Sequence, residues 1–246
     1  MPAPSHAWLP PRRTQEIRSY TPRFRVSELT RDRLGALLPR YAVTSLPVDP
    51  PAAFGRPGEV VFEIGSGHGA AALAYAAAHP FASVLAVEVH VPGVARMLAA
   101  ADDAGVTNLR VYVGDALDLL SAGLPPSSVD RIHLFFPDPW PKRRHEKRRL
   151  VQRHTLDRMA GVLAPGGVLL IGTDHPVYAD HARALLAAHP DFTAQETHRP
   201  EWKPLDGFEE KGLRAGRPPV YLEARRRHDA FMSPLGGGTG ATRRQG

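Results

Sequence analysis

The chain has 246 residues, 43% of them hydrophobic and 23% charged, as expected for one large soluble domain with short appendages. It has no cysteine, which excludes disulfides and thiolate metal sites and fits a reducing compartment. A net charge of +6 suits a polyanionic partner.

Where the charge sits is more informative than its total. Lys142, Arg143, Arg144, Lys147, Arg148 and Arg149 crowd one short run, and Arg12, Arg13, Arg18, Arg23 and Arg25 form a second group. Two local clusters favour nucleic acid over a diffuse solubility effect. The first residues, Met1 to His6, lack the basic and apolar regions of a signal peptide. The longest uncharged apolar stretch, Ala160 to Gly172, is broken by Pro165-Gly166-Gly167 and is too short to span a bilayer. These features predict a soluble cytoplasmic protein with no membrane partner.

Residues 1–55 read as an Arg/Pro-rich, partly disordered arm with one short helix, Ser27 to Leu38, ending near Pro39. Pro47, Pro50, Pro51 and Pro57 mark a linker. From Glu59 the pattern changes to short apolar runs alternating with helical stretches. Strands are predicted at Val60–Ile64, Ser83–Val87, Leu109–Val113, Arg131–Phe136 and Val168–Gly172, with two more at Phe192–Glu196 and Val220–Arg225. Helices are predicted at Gly69–Ala78, Pro92–Ala104, Ala116–Leu120, His145–Leu163 and Pro176–Ala188. The Gly-rich end, 229–246, reads as a disordered tail. The fold class is thus α/β: a doubly wound, mostly parallel seven-stranded sheet over residues 56–228.

Gly65-Ser66-Gly67-His68-Gly69 follows the first strand as a tight turn into a helix, where free N–H groups and positive φ let a ligand approach. The spacing Gly65, Gly67, Ala70 also fits a dinucleotide loop, so the loop alone does not separate NAD from S-adenosylmethionine. Glu63, two residues before Gly65, would repel a pyrophosphate at that turn, whereas a sulfonium cofactor carries positive charge. Glu88 ends the next strand, where a carboxylate accepts ribose hydroxyls; a solvated strand-end Glu is the plain alternative. Asp115 ends the third strand and suits either an adenine amino group or a helix N-cap. Successive strand ends of an open sheet border one crevice.

The fourth strand runs into Pro137-Asp138-Pro139-Trp140-Pro141-Lys142, a stiff loop presenting one carboxylate at the sheet's carboxyl edge. Trp140 packs either on the core or on a base, and the cationic run after it serves either RNA phosphates or a solvated helix face. The N-terminal arginines either fold on RNA or make no contact. The 12 His show no metal spacing, and no metal is expected. His133 reads as a satisfied core residue, His145 and His154 as part of the basic helix, and Asp102-Asp103 as a water-exposed helix end.

Phe135-Phe136-Pro137-Asp138-Pro139-Trp140, followed by Lys142 and Lys147-Arg148-Arg149-Leu150-Val151, resembles the bacterial tRNA (guanine-N7)-methyltransferases. The resemblance extends to Phe62-Glu63-Ile64-Gly65, Val87-Glu88-Val89-His90, Gly114-Asp115-Ala116 and Gly172-Thr173-Asp174. It also takes in Ile17-Arg18-Ser19-Tyr20, Leu38-Pro39-Arg40-Tyr41, Arg199-Pro200 and Phe208-Glu209, so it covers roughly residues 17 to 225. It implies methyl transfer from S-adenosylmethionine to N7 of guanine 46 in the tRNA variable region. It assigns cofactor contacts to Glu63, Glu88, Asp115 and Asp138, beside Gly65 and Gly67 of the loop, with Asp138 also catalytic. On the substrate side it assigns Lys142, Asp174, Asp206, Gly207, Phe208 and Glu209. The family usually has Thr-Lys where this chain has Asp206-Gly207, and Glu201 to Leu205 are extra residues. A methyltransferase of exocyclic amines, an NAD-dependent dehydrogenase and a non-catalytic RNA-binding relative are the competing readings. Oligomeric state is open between monomer and homodimer.

Overall fold

The computed structural model describes residues 26–43 and 45–228. The arginines up to Arg25 and the tail expected at 229–246 lie outside the described residues. The chain opens with helices α1 (Glu28–Tyr41) and α2 (Pro50–Phe54), then β1 (Val60–Ile64), α3 (Ala70–Ala78), β2 (Ser83–Glu88) and α4 (Val91–Asp103). Next come β3 (Leu109–Val113), α5 (Ala116–Asp118), β4 (Val129–Phe135), α6 (Arg153–Val162) and β5 (Leu163–Thr173). Helix α7 (Pro176–Ala187), β6 (Phe192–Thr197), α8 (Gly207–Arg214) and β7 (Val220–Arg226) complete it.

All seven strands join one sheet in the order β3-β2-β1-β4-β5-β7-β6. β1 pairs in parallel with β2 and β4, β2 with β3, and β4 with β5, while β7 runs antiparallel between β5 and β6. The expected doubly wound, mostly parallel sheet is therefore present. Strand order reverses direction between β1 and β4, which opens a crevice at their carboxyl ends.

Helices cover both faces of the central strands, so β1 and β2 are buried at every residue and read as continuous apolar runs. Alternation along β1 sends Phe62 and Ile64 to one core, with Ile132, Leu156, Leu169 and Tyr178. Val61 faces the other core, with Ala72, Tyr75, Val84, Met97 and Leu98. Glu63 shares that second face. So does α1, whose Leu34, Leu38 and Tyr41 are buried there. The Ser27 side chain caps α1 by accepting from Thr30 N, and the Tyr41 hydroxyl donates to Val106 O at 3.1 Å.

Several boundaries differ from the sequence expectation. Helix α1 passes through Pro39 to Tyr41, so Pro39 leaves the Gly35 carbonyl without its i+4 donor in the last turn. The proline linker contains α2, with Pro50 at its permissive first turn. Ala116–Leu120 is one short α turn that widens into a π-helical turn over Leu119–Gly123. The single helix expected over His145–Leu163 is two elements: a 3-10 segment, Arg143–Arg148, and α6, separated by non-helical residues 149–152. Gln152 and Thr155 form a capping box that starts α6 afresh. Asp102 is exposed at the end of α4, as expected, and pairs there with Arg40 of α1.

Candidate active site

The glycine loop turns out of β1 with Gly65, Gly67 and Gly69 all at positive φ, 71°, 57° and 85°. Gly65 N and Ser66 N donate to Val87 O, which ties the loop to β2. A Cβ built on Gly65 or Gly67 meets no atom within 4 Å, so open space lies over the turn. Behind it the packing is tight. A Cβ on Gly93 of α4 would stand 2.6 Å from Gly67 O, so Gly93 lets the α4 first turn touch the loop backbone.

Three expected acids surround this space. Glu88 grips the loop with both oxygens, accepting from Gly67 N at 2.7 Å and from His90 N at 2.6 Å. It is therefore no free strand-end carboxylate. Asp115 caps α5 through Oδ1, which accepts from Leu117 N at 3.0 Å. Its Oδ2 is buried without a hydrogen-bond partner, and burial raises its carboxyl above the usual range.

Glu63 is 3% exposed, and its Oε2 also lacks a hydrogen-bond partner. Burial pushes its carboxyl up to about 8, against smaller opposing effects of the Ala72 N–H and the Lys203 charge. Opposite it on β4, His133 Nδ1 lies 3.8 Å away, too far for a hydrogen bond. His133 is buried as expected but not satisfied, since Nδ1 is an orphan and burial holds its pKa down at about 3. Both groups are thus neutral near pH 7. The ring of Trp202 stacks on His133 at 5.0 Å and meets Tyr75 edge-on at 4.8 Å.

The β4 loop presents Asp138 to solvent, while the packed protein around it raises its carboxyl. Two left-handed residues bracket the loop, Phe136 at φ 49° and Trp140 at φ 40°. Phe136 N donates to Gly172 O at 2.7 Å, which anchors its start. Its end is anchored by Arg149, whose Nε and Nη2 donate to Pro139 O and Trp140 O, each at 3.2 Å. Arg149 is 3% exposed, so it leaves the set of cations available to phosphate. Lys142, Arg143, Arg144, Lys147 and Arg148 remain exposed. Arg148 lies over the Trp140 ring at 4.7 Å.

On the other side of the crevice, Asp174 follows β5 and accepts from Arg217 Nε at 3.0 Å and Nη2 at 2.8 Å. Asp206 is the N-cap of α8, accepting from Phe208 N and Glu209 N. Phe208 is 69% exposed, whereas Glu209 is buried against Lys203 at 2.9 Å. The departure Asp206-Gly207 thus starts a helix.

The sequence reading missed Gly93, Arg149, Lys203 and Arg217 as site-shaping residues. Arg149 precedes the buried, apolar Val151, a sign that the charge run is turning inward. Lys203 gave no such signal. Among the described residues no cluster of three or more His, Asp or Glu is placed to hold a metal, and no helix is long and apolar enough to cross a membrane.

The sheet order, its antiparallel β7 and the acid-lined carboxyl edge define a Rossmann-like methyltransferase. A family model described as "Putative methyltransferase" matches residues 57–221. A tRNA (guanine-N(7)-)-methyltransferase of Streptomyces avermitilis is 42% identical over 210 residues, covering 82% of this chain and 72% of that one. The same-named enzyme of Nitrosomonas eutropha is 40% identical, covering 81% and 92%. The solved 16S rRNA methyltransferase KamB shares the fold at 17% identity and a TM-score of 0.54, over 76% of this chain and 98% of that one. The chain belongs to the bacterial tRNA (guanine-N(7)-)-methyltransferase family.

Proposed function

We propose that this enzyme transfers a methyl group from S-adenosylmethionine to N7 of guanine 46 in the variable region of tRNA, in the cytoplasm. The observation that carries the reading is the meeting of the glycine loop, three acids and the Asp138 turn on one edge of the sheet, with exposed cations beside them.

The residues fit the cofactor. The open space over Gly65 and Gly67 admits its backbone-facing part, and the second lone pairs of Glu88 suit ribose hydroxyls. The orphan Oδ2 of Asp115 suits an adenine amino group, and the orphan Oε2 of Glu63 suits a cationic amino-acid end. The bound sulfonium supplies an electrophilic methyl group.

Guanine N7 bears a lone pair and no hydrogen, so its attack on the methyl carbon needs no general base. The methylated base becomes cationic as the sulfonium is lost. Asp138 then orients guanine through its N1–H and amino donors and stabilises the growing charge. Lys142, Asp174, Asp206, Gly207 and Phe208 line the acceptor side, the buried Glu209 supports it through Lys203, and the exposed cations around Arg143–Arg148 hold phosphates.

The test is methyl transfer from labelled S-adenosylmethionine to a tRNA transcript, with guanine 46 replaced by adenine as control. Label only in the unaltered transcript is expected. Equal label in both overturns the position, and no label in either overturns the activity. Asp138→Asn is expected to lower kcat about 100-fold at every pH. Recovery along a simple base titration would instead make Asp138 a proton acceptor.

A further inference from the structure

Lys203 is fully buried. Burying an ammonium costs several kcal/mol unless its charge is met on all sides. Here Nζ donates to Glu209 Oε2 at 2.9 Å, Asp206 Oδ2 at 3.0 Å and Pro204 O at 3.2 Å. The rings of Phe135 and Phe136 stand 5.2 and 5.1 Å from it. Arg199 holds the same residue from behind, donating from Nη1 to Lys203 O at 2.7 Å and approaching Glu209 at 3.6 Å.

These partners belong to two separate parts of the site. Phe135 and Phe136 lead into Asp138, and Phe136 is the left-handed residue that starts the turn. Asp206 and Glu209 are the N-cap and first turn of α8, from which Phe208 projects. We propose that Lys203 is a positioning residue for methyl transfer, fixing the Asp138 turn against the first turn of α8. The proposal rests on reading those two elements as the acceptor side.

Its position in the chain supports this role. Lys203 lies between Trp202 and the Asp206 N-cap of α8. The neighbouring Trp202 covers His133 opposite Glu63, so the same segment also closes the inner wall of the cofactor side. A displacement of about 1 Å between reacting groups is enough to cost about 100-fold in rate. Lys203 bears on the cofactor side through its charge, which acts on Glu63 less than burial does; Glu88, Asp115, the glycine loop and the exposed cations after Asp138 hold their ligands without it.

The test uses the full chain with Lys203→Met, Lys203→Arg and Phe135→Leu. Folded fraction, affinity for S-adenosylmethionine, affinity for tRNA and kcat are measured separately. Lys203→Met is expected to bind both ligands within about threefold of wild type while kcat falls about 100-fold, an effect of misplacement within an assembled site. Lys203→Arg, which keeps the charge, is expected to recover at least about tenfold of that loss. A kcat within about twofold of wild type per folded molecule overturns the proposal, as does a kcat loss matched by equal losses in both affinities. If Lys203→Met does not fold, Phe135→Leu decides, because it removes a ring under the ammonium and leaves every ion pair. A kcat loss of about fivefold with unchanged affinities supports the role, and an unchanged kcat refutes it. A wild-type chain that transfers no methyl overturns the functional reading itself, which unaffected variants of an active wild type would leave standing.

Discussion

Glu63 and His133 face each other across β1 and β4, both held neutral by burial, and stability should follow pH accordingly. The Glu63 carboxyl sits at about 8 instead of 4.5, and His133 at about 3 instead of 6.5. Between pH 4.5 and 8 the folded chain keeps a proton on Glu63 that the unfolded chain has released. Rising pH therefore favours unfolding, by about 1.4 kcal/mol for each pH step. Between pH 3 and 6.5 the unfolded chain binds a proton on His133 that the folded chain refuses. Rising pH there favours folding by the same amount, so the two slopes cancel from 4.5 to 6.5. From 6.5 to 8 Glu63 acts alone, and stability falls by about 2 kcal/mol. Urea unfolding of wild type and Glu63→Gln at pH 6.5 and 8 isolates this effect, since the other titrating groups are common to both proteins. Glutamine keeps the shape and cannot ionise, so relative to pH 6.5 the variant should gain about 2 kcal/mol on wild type at pH 8. It should also bind S-adenosylmethionine more weakly. An equal alkaline loss in both proteins, or a wild-type stability flat over this range, refutes the reasoning.

Arg149 and Arg148 are neighbours with different work. Arg149→Met should destabilise the fold by about 2 kcal/mol in urea, because two carbonyls lose a charged donor. Arg148→Ala should leave stability within about 0.5 kcal/mol and flatten the salt dependence of tRNA binding by about 0.7 to 0.9 in slope. Gly93→Ala pushes a methyl group against Gly67 O. Calorimetry should find S-adenosylmethionine affinity reduced about tenfold, with tRNA affinity unchanged.

The parallel strands β1 to β5 were legible in the sequence because central strands must be apolar along most of their length, and turn residues bound them; that reason does not extend to antiparallel β6, exposed over most of its length. The glycine loop and the acids Glu63, Glu88 and Asp115 were legible for a related reason: each closes a strand at the same edge. The basic run was harder. Its charges and helix-forming residues suit a helix, yet Arg149 is drawn inward by two loop carbonyls, and this tertiary demand breaks the segment into a 3-10 turn and α6. The start of α8 carried local signals, an Asp N-cap followed by Glu209 and Glu210, which a reading focused on the family motif passed over. Lys203 had none, since a lysine between Trp and Pro looks like a surface residue. Its burial depends on Phe135 and Phe136, more than sixty residues earlier in the chain.

The left-handed backbone at Phe136 and Trp140 sets what directed evolution of this enzyme would encounter. Each residue holds a conformation that glycine adopts freely and that costs other residues about 1–3 kcal/mol. Relieving that cost with glycine would also remove the Phe136 ring beside the buried Lys203 ammonium or the Trp140 ring beneath Arg148, and would free the chain on either side of Asp138. Heat resistance and turnover should therefore both keep these two rings, within five consecutive residues.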